Sequence, residues 1–440
     1  MELTIEKLIY GGDGLARLPS DDEGRGKAVF VPFTLAGERV EASLLEEKPG
    51  FVRAEVAQIL EPSAERIEAG CDYFQRCGGC HYQHTRYAQQ LEIKAEILKE
   101  NLRRLAKMEL ASELRVHGSP PWNYRNRTRL QVRGNAGFTL GYFKGSSHEV
   151  LAVETCPISS PLINRAMNVL WKWGREGAIP VELREIELFV NGDDTKLQLE
   201  LYGDPHQDRA RRAQSAETFT ERLGRDLPEV VSVYAFAQTI GVARGVQGHI
   251  TGEPDWTLRP GEFRYLTMTA PLRVSGGAFF QVNRFLVDEL VGIVAGGRSG
   301  DVALDLYAGV GLFSVALATS FRHIVAVESS QGSASDLKYN SPRNAKAVRS
   351  TVEEYLAAKA GKLRPDLVVL DPPRAGLGER VVRSLVKLGA PRLIYVSCDP
   401  ATLARDLLAL TSGGYQVEQI HLIDLFPQTY HIETVVELVR

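Results

Sequence analysis

Along the first 62 residues short apolar-rich runs alternate with turns: LTIEKLIY, then GGDG, then KAVFVPF, ERVEASLLEE and FVRAEVAQIL. Five short strands punctuated by glycine turns predict a small, OB-like β-barrel over residues 1–62. From Tyr87 to about Ala106 the apolar spacing turns helical and strong helix formers dominate. Strand-like pieces return after Tyr124 (TRLQVRG, HEVLAVE, KLQLELYG), interrupted by one helical stretch from Pro161 to about Trp173. This predicts a β-rich central domain over residues 63–268. The pattern then changes again. DVALDLYAG, IVAVESS, DLVVLDPP and LIYVSCDP are continuous apolar runs separated by helical segments, and QIHLIDLF with ETVVELV closes the chain as a hairpin. Continuously apolar strands alternating with helices predict an α/β domain with a parallel, doubly wound sheet over residues 269–440.

Ligands of such sheets bind beyond the carboxyl ends of the strands. The first end is Asp305-Leu306-Tyr307-Ala308-Gly309-Val310-Gly311, a GxG loop. The second strand ends at Glu328, an acid placed to meet a ribose. Then come Asp371-Pro372-Pro373-Arg374 and Ser397-Cys398-Asp399-Pro400. Ser314 stands where GxGxxG would have its third glycine, the one that packs a pyrophosphate-binding helix close to its strand. S-adenosylmethionine has no pyrophosphate, and its cationic groups favour nearby acids. The pattern therefore favours methyl transfer over hydride transfer.

Composition refines this picture. The 440 residues carry a net charge of −3, with 44% hydrophobic and 24% charged residues, the balance of a globular chain of two to three domains. No apolar run is long enough to cross a bilayer, and MELTIEKLIYGG lacks the pattern of a signal peptide. The expectation is a cytoplasmic protein without a membrane partner. One catalytic set per chain makes a monomer sufficient.

Local charge is less neutral. Arg103, Arg104, Lys107, Arg115, Arg125, Arg127, Arg129 and Arg133 crowd one region, and Arg209, Arg211 and Arg212 another. In YRNRTR strand alternation puts Arg125, Arg127 and Arg129 on one face, either a phosphate track or a solvated outer face.

Five cysteines do not read as disulfides in a cytosolic chain. Cys71, Cys77 and Cys80 follow C-x5-C-x2-C, and Cys156 stands alone in ETCPI. Four thiolates at these spacings suit zinc or an iron–sulfur cluster equally. Cys398, the fifth, is either a buried core residue or a nucleophile at the sheet mouth. As a nucleophile it can add to carbon 6 of a uracil, making carbon 5 able to take a methyl group. Glu433 in HIETVVEL is then a candidate to remove the carbon-5 proton.

Taken in order, these motifs resemble the RNA uracil-5-methyltransferases, and among them the iron–sulfur-containing 23S rRNA branch. The barrel, CDYFQRCGGC, Cys156, Phe279-Phe280-Gln281-Val282-Asn283, the Asp305–Gly311 loop, Asp371-Pro372-Pro373-Arg374, SCDPATLARD and FPQTYHIETVV carry the resemblance over essentially the whole chain. It implies a TRAM barrel, a central iron–sulfur domain and a Rossmann-like, S-adenosylmethionine-dependent catalytic domain. It implies Cys398 as nucleophile and Glu433 as proton acceptor. Gln281, Tyr307, Glu328 and Asp371 would line the cofactor or target pocket, with Phe279, Arg125 and Arg127 against the RNA. Cys71, Cys77, Cys80 and Cys156 would hold a [4Fe-4S] cluster. The implied substrate is 23S rRNA; the T-loop of tRNA is the alternative, and a non-catalytic RNA-binding or assembly factor is the competing class. The family commonly has Phe where Tyr307 stands and Asn where Leu312 stands.

Overall fold

The computed structural model of the protein describes residues 1–19, 26–110, 113–134, 137–203, 209–237, 254, 256–359 and 362–440. The N-terminal barrel has six strands: Glu2–Thr4, Lys7–Leu8, Asp13–Arg17, Ala28–Pro32, Arg39–Glu47 and Phe51–Glu61. The predicted first strand is two. Its first half pairs with Arg39–Glu47 at one edge of the sheet, and its second half pairs with Asp13–Arg17 at the other. The split at Ile5 thus lets one short stretch of chain border the sheet at both ends. Alternate residues Val29 and Val31, Val40 and Ala42, Val52 and Ala54 fill the interior.

The central sheet has seven strands, in the order Val150–Ala152, Thr139–Phe143, Arg127–Arg133, Leu183–Val190, Leu197–Gly203, Val230–Ala237 and Trp256–Pro260. Helix Pro161–Arg175 covers it, started by Ser160, whose hydroxyl accepts from the Ile163 N–H at 3.2 Å, with proline in the first turn. Arg209, Arg211 and Arg212 fall in helix Arg209–Asp226, and their side chains lie outside the described residues.

The C-terminal sheet has eight strands. Ala345–Arg349, Phe321–Glu328, Gly300–Leu306, Leu367–Leu370 and Arg392–Ser397 run parallel. Glu433–Val439 and Gln416–Ile423 continue it as the expected antiparallel hairpin. The last strand is Arg115–His117, drawn from far upstream and parallel to Gln416–Ile423.

Packing therefore does not follow the boundary at 63–268. Helix Tyr87–Asn101 and the π-turn Leu102–Ala106 lie against helix Pro400–Ser412, and Ile97, Leu98 and Leu102 share one apolar core with Leu403 and Leu407. Lys94 on that helix is fully buried and bonds Asp424 at 2.6 Å. Periodicity identifies such a helix but not the sheet it covers. No described helix is long and apolar enough to cross a membrane.

Candidate active site

The first strand of the α/β sheet runs into a turn with a left-handed backbone at Tyr307 (φ 64°), Gly309 (φ 54°) and Gly311 (φ 97°). The φ of 97° at Gly311 is one that other residues rarely adopt, and a Cβ there would also push on the Leu337 side chain 2.9 Å away. Helix Leu312–Leu317 follows, with Leu312 packed into the apolar core. The carboxylate of Glu328 lies under this turn, accepting from the N–H groups of Gly309 (2.9 Å) and Ser330 (2.7 Å). Asp305 is wholly buried; Ser314 donates to one oxygen at 2.5 Å and the other has no partner. This gives Ser314 a purpose that a glycine there would not serve. Burial pushes Asp305 up to about 7, against the opposing Ser314 hydrogen bond. Asp371, beyond the neighbouring strand, is also pushed up to about 7, first by burial and then by the charge of Asp305.

Cys398 directly follows strand Arg392–Ser397. The next residues start a helix: Asp399 caps it, accepting from Ala401 (3.0 Å) and Thr402 (2.8 Å), and Pro400 sits in its first turn. The cysteine is thus pinned between a rigid strand and a capped helix, partly buried rather than sunk in the core. Its thiol is pushed up to about 12, mainly by burial, then by the charges of Glu433 and Asp371, while Arg374 pulls the other way. Glu433 opens the adjacent strand, where Thr434 pairs with Ser397. Its carboxyl is 4% exposed and held well above the usual range by burial and by Asp371, against Arg374. Thiol, acid and guanidinium therefore converge where the strands end.

Residues 270–440 match the family described as tRNA (Uracil-5-)-methyltransferase, and residues 1–57 match the TRAM domain. An uncharacterized RNA methyltransferase of Aquifex aeolicus is 32% identical over 442 residues, spanning 99% of this chain and 97% of its own length. One from Streptomyces coelicolor is 34% identical over 464 residues, spanning 99% and 91%. The chain belongs to the RNA uracil-5-methyltransferase family. The solved structure of Pyrococcus abyssi tRNA (uracil-54, C5)-methyltransferase, in complex with S-adenosyl-L-homocysteine, shares the fold over 100% of both chains, with a TM-score of 0.74 at 23% identity.

In this uracil-5-methyltransferase family member the segment 426–432 contributes side chains that periodicity does not reveal. Arg374 donates to Nδ1 of His431 at 3.3 Å. Burial, then Arg374, pushes His431 down to about 3, so the ring is neutral. Tyr430 packs between His431 (4.3 Å between ring centres) and His81 (4.5 Å). The segment is held from three sides. Gln90 and Gln428 exchange bonds of 2.9 Å, the N–H groups of His81 and Tyr82 donate to Gln428 O, and Lys94 donates to Phe426 O at 3.0 Å. The available signal was the polar run QTYH breaking two apolar strands.

Phe279 and Gln281 lie on a loop strung between domains. Phe279 is 47% exposed; Gln281 is buried, and its carbonyl accepts from Asn126 at 3.0 Å. At the loop's start Ser275 is bonded twice by Asp336 of helix Gln331–Asn340, and Asn340 bonds both Arg273 O (3.0 Å) and Val310 O (2.9 Å). The loop is thereby tied to the Tyr307–Gly311 turn.

Arg127 is not on an open face. It is 7% exposed, ion-paired to Glu187 and Glu200, and donates to Ala278 O at 2.5 Å. Arg129 shares its face, as alternation requires, and bonds Glu187 (2.7 Å) and Tyr202 (2.9 Å). The adjacent strand Leu183–Val190 and the next one beyond it, Leu197–Gly203, present Glu187 and Glu200 on that same side. Alternation groups side chains but does not say which group faces water. Arg125 remains partly exposed, its Nε donating to Arg127 O at 2.9 Å.

Cys71, Cys77, Cys80 and Cys156 are all free thiols, and the charge of Cys156 is felt at each of the other three. They gather in one place although Cys156 is far along the chain. Among the described residues no three His, Cys, Asp or Glu side chains are arranged to hold a single metal ion.

Proposed function

We propose that the protein methylates carbon 5 of a uridine in RNA with S-adenosylmethionine as donor. The observation that carries this is the convergence of Cys398, Glu433, Asp371 and Arg374 at the strand ends. The partnerless oxygen of Asp305, the Gly311 turn and Glu328 suit a ligand bearing ammonium, sulfonium and ribose groups. When bound, that ligand supplies an electrophilic methyl group. Tyr307, Glu328, Asp371 and Gln281 would line its pocket and that of the target base.

Cys398 Sγ, once deprotonated, adds to carbon 6 of the uracil. The electron pair released toward carbon 5 would form the bond to the methyl group as the donor's sulfur–methyl bond breaks, its pair staying on sulfur. Glu433 takes the proton from carbon 5, the carbon 5–carbon 6 double bond re-forms, and the thiolate leaves. A thiol with an ordinary pKa would need little help; one pushed up to about 12 needs cations. Arg374 is one, and a cationic donor held by Asp371 would be a second. A paired uridine hides carbon 5 in a deep groove, so the base must be unpaired or flipped. Stacking on Phe279 would offset roughly 1–3 kcal/mol of that.

Cys71, Cys77, Cys80 and Cys156 would hold a [4Fe-4S] cluster that braces the central domain beside Arg125. No chemical step needs it, because methyl transfer moves no net electrons. The cysteine pattern favours 23S rRNA as substrate. A second reading, the T-loop of tRNA, is favoured by the tRNA named in the matched family's description. An RNA-binding factor without catalysis is the reading from another class.

The test uses RNA tritiated at carbon 5 of uridine. Wild type should release tritium, and Cys398→Ala should not while still binding S-adenosylmethionine. Glu433→Gln should accumulate a protein–RNA adduct on denaturing gels. Full turnover by the cysteine variant would overturn the proposal. Mapping 5-methyluridine in rRNA and tRNA after gene deletion decides the substrate.

A further inference from the structure

The barrel reaches into the catalytic mouth. Its turn Tyr10-Gly11-Gly12 is left-handed at Gly11 (φ 113°) and Gly12 (φ 96°) and closed by the bond from Gly12 N–H to Ile9 O at 3.2 Å. A Cβ at Gly12 would come within 3.1 Å of His81, so a bare backbone lets the turn dock against the cysteine-rich segment. Docking delivers Tyr10 to the catalytic domain, where it packs on the core shared by Leu403 and Leu407. Its hydroxyl donates to the carbonyl oxygen of Cys398 at 3.3 Å. Its ring meets Tyr430 edge-on, with centres 5.5 Å apart and planes at 88°. Tyr430 in turn touches His431, the acceptor of the Arg374 hydrogen bond.

We infer that Tyr10 is a positioning residue for Cys398, so that the RNA-binding barrel completes the active site it serves. Cys398 lies between the strand and the capped helix, and a hydrogen bond to its carbonyl steadies the backbone from which Sγ projects. A hydrogen bond from another domain holds that carbonyl, and the same ring supports the segment carrying His431. A barrel displaced by a poorly fitting RNA would release both. The inference rests on Cys398 being the nucleophile.

Tyr10→Phe in the full chain removes the hydroxyl and keeps the ring. The experiment measures adduct formation with RNA carrying 5-fluorouridine at the target, in single turnover with saturating enzyme and S-adenosylmethionine. Loss of one hydrogen bond of ordinary strength predicts an adduct rate about three- to tenfold lower. RNA affinity and S-adenosylmethionine affinity should stay at wild-type values, and the thermal midpoint should fall by no more than about a few degrees. Tyr10→Ala, which also removes the contact with Tyr430, should slow the step further; if that variant does not fold, Tyr10→Phe decides alone. A wild-type adduct rate in Tyr10→Phe overturns the inference. So does a loss confined to RNA affinity, which would make Tyr10 a simple RNA contact. An adduct that persists in Cys398→Ala would instead refute the nucleophile assignment, a separate failure.

Discussion

Replacing Arg127 by methionine separates two physical accounts of one residue. As a phosphate contact it would contribute to RNA binding and little to stability. The structure buries it at 7% exposure between Glu187 (4%) and Glu200 (1%). Breaking a buried ion pair from one side costs about 3–5 kcal/mol, because a charge is left without its partner. Glu187 keeps Arg129, and the two arginines hold its carboxyl below the usual range. Glu200 is pushed up by burial and by Glu187, and retains only neutral donors, Tyr202 at 2.6 Å and Gly277 N–H at 3.0 Å. It can therefore take a proton, which limits the loss to about 3 kcal/mol, the low end of that range. For a domain of this size that corresponds to a midpoint lower by about 6–12 °C. The sign with pH follows. A carboxyl whose folded pKa is raised contributes stability below its unfolded pKa and loses it as pH rises through the folded value, so the deficit should be smaller at pH 5 than at pH 8. Arg127→Met/Glu200→Gln should recover most of the loss, since a neutral Gln keeps one oxygen for the Gly277 N–H and can turn its amide N–H toward the Tyr202 hydroxyl, which then accepts. Thermal unfolding at two pH values, with RNA binding across a salt series, checks this. An unchanged midpoint with a salt slope reduced by about one phosphate would refute the reasoning.

Other expectations follow from the same geometry. Asp305 and Asp371, both near 7, should shed protons when a cationic ligand arrives, so S-adenosylmethionine affinity should tighten about three- to tenfold from pH 6 to pH 8, and Asp305→Asn should flatten that profile in calorimetry. The ligand-free protein should lose stability as pH rises through 7, the reverse of the usual carboxylate trend. Anaerobically purified protein should carry iron and sulfide, and Cys156→Ala should lose both and unfold at lower temperature; zinc at one per chain would contradict the cluster. Lys94→Met leaves Asp424 buried without its partner and should cost about 3–5 kcal/mol in denaturant unfolding, with wild-type stability as the contrary result.

The sheet mouth was legible because parallel strands buried on both faces leave unbroken apolar runs whose last residue marks the ligand side. Asp305, Glu328, Asp371 and Cys398 stand out that way as strand ends, and Glu433 as an acid near the C-terminus. Less legible was everything that depends on partners remote in sequence. The face of Arg127 is decided by Glu187 and Glu200 on other strands, and helix Tyr87–Asn101 by a sheet completed 300 residues later. Gln428, with its left-handed backbone (φ 68°), gathers bonds from Gln90, His81 and Tyr82, an arrangement no local pattern announces. Five predicted strands became six because LTIEKLIY divides between the two ends of the sheet, which propensity does not announce.

Strand Arg115–His117 makes the methyltransferase body discontinuous in sequence. The chain enters that body before it builds the central sheet and returns afterwards, so the central sheet is an insertion and the body its host. A fragment cut to start at residue 269 would strip the helix from Pro400–Ser412 and bare the backbone of Gln416–Ile423, an open edge that invites aggregation. The separable unit is the insertion, and a relative's central sheet is the piece to exchange while the host sheet keeps every strand.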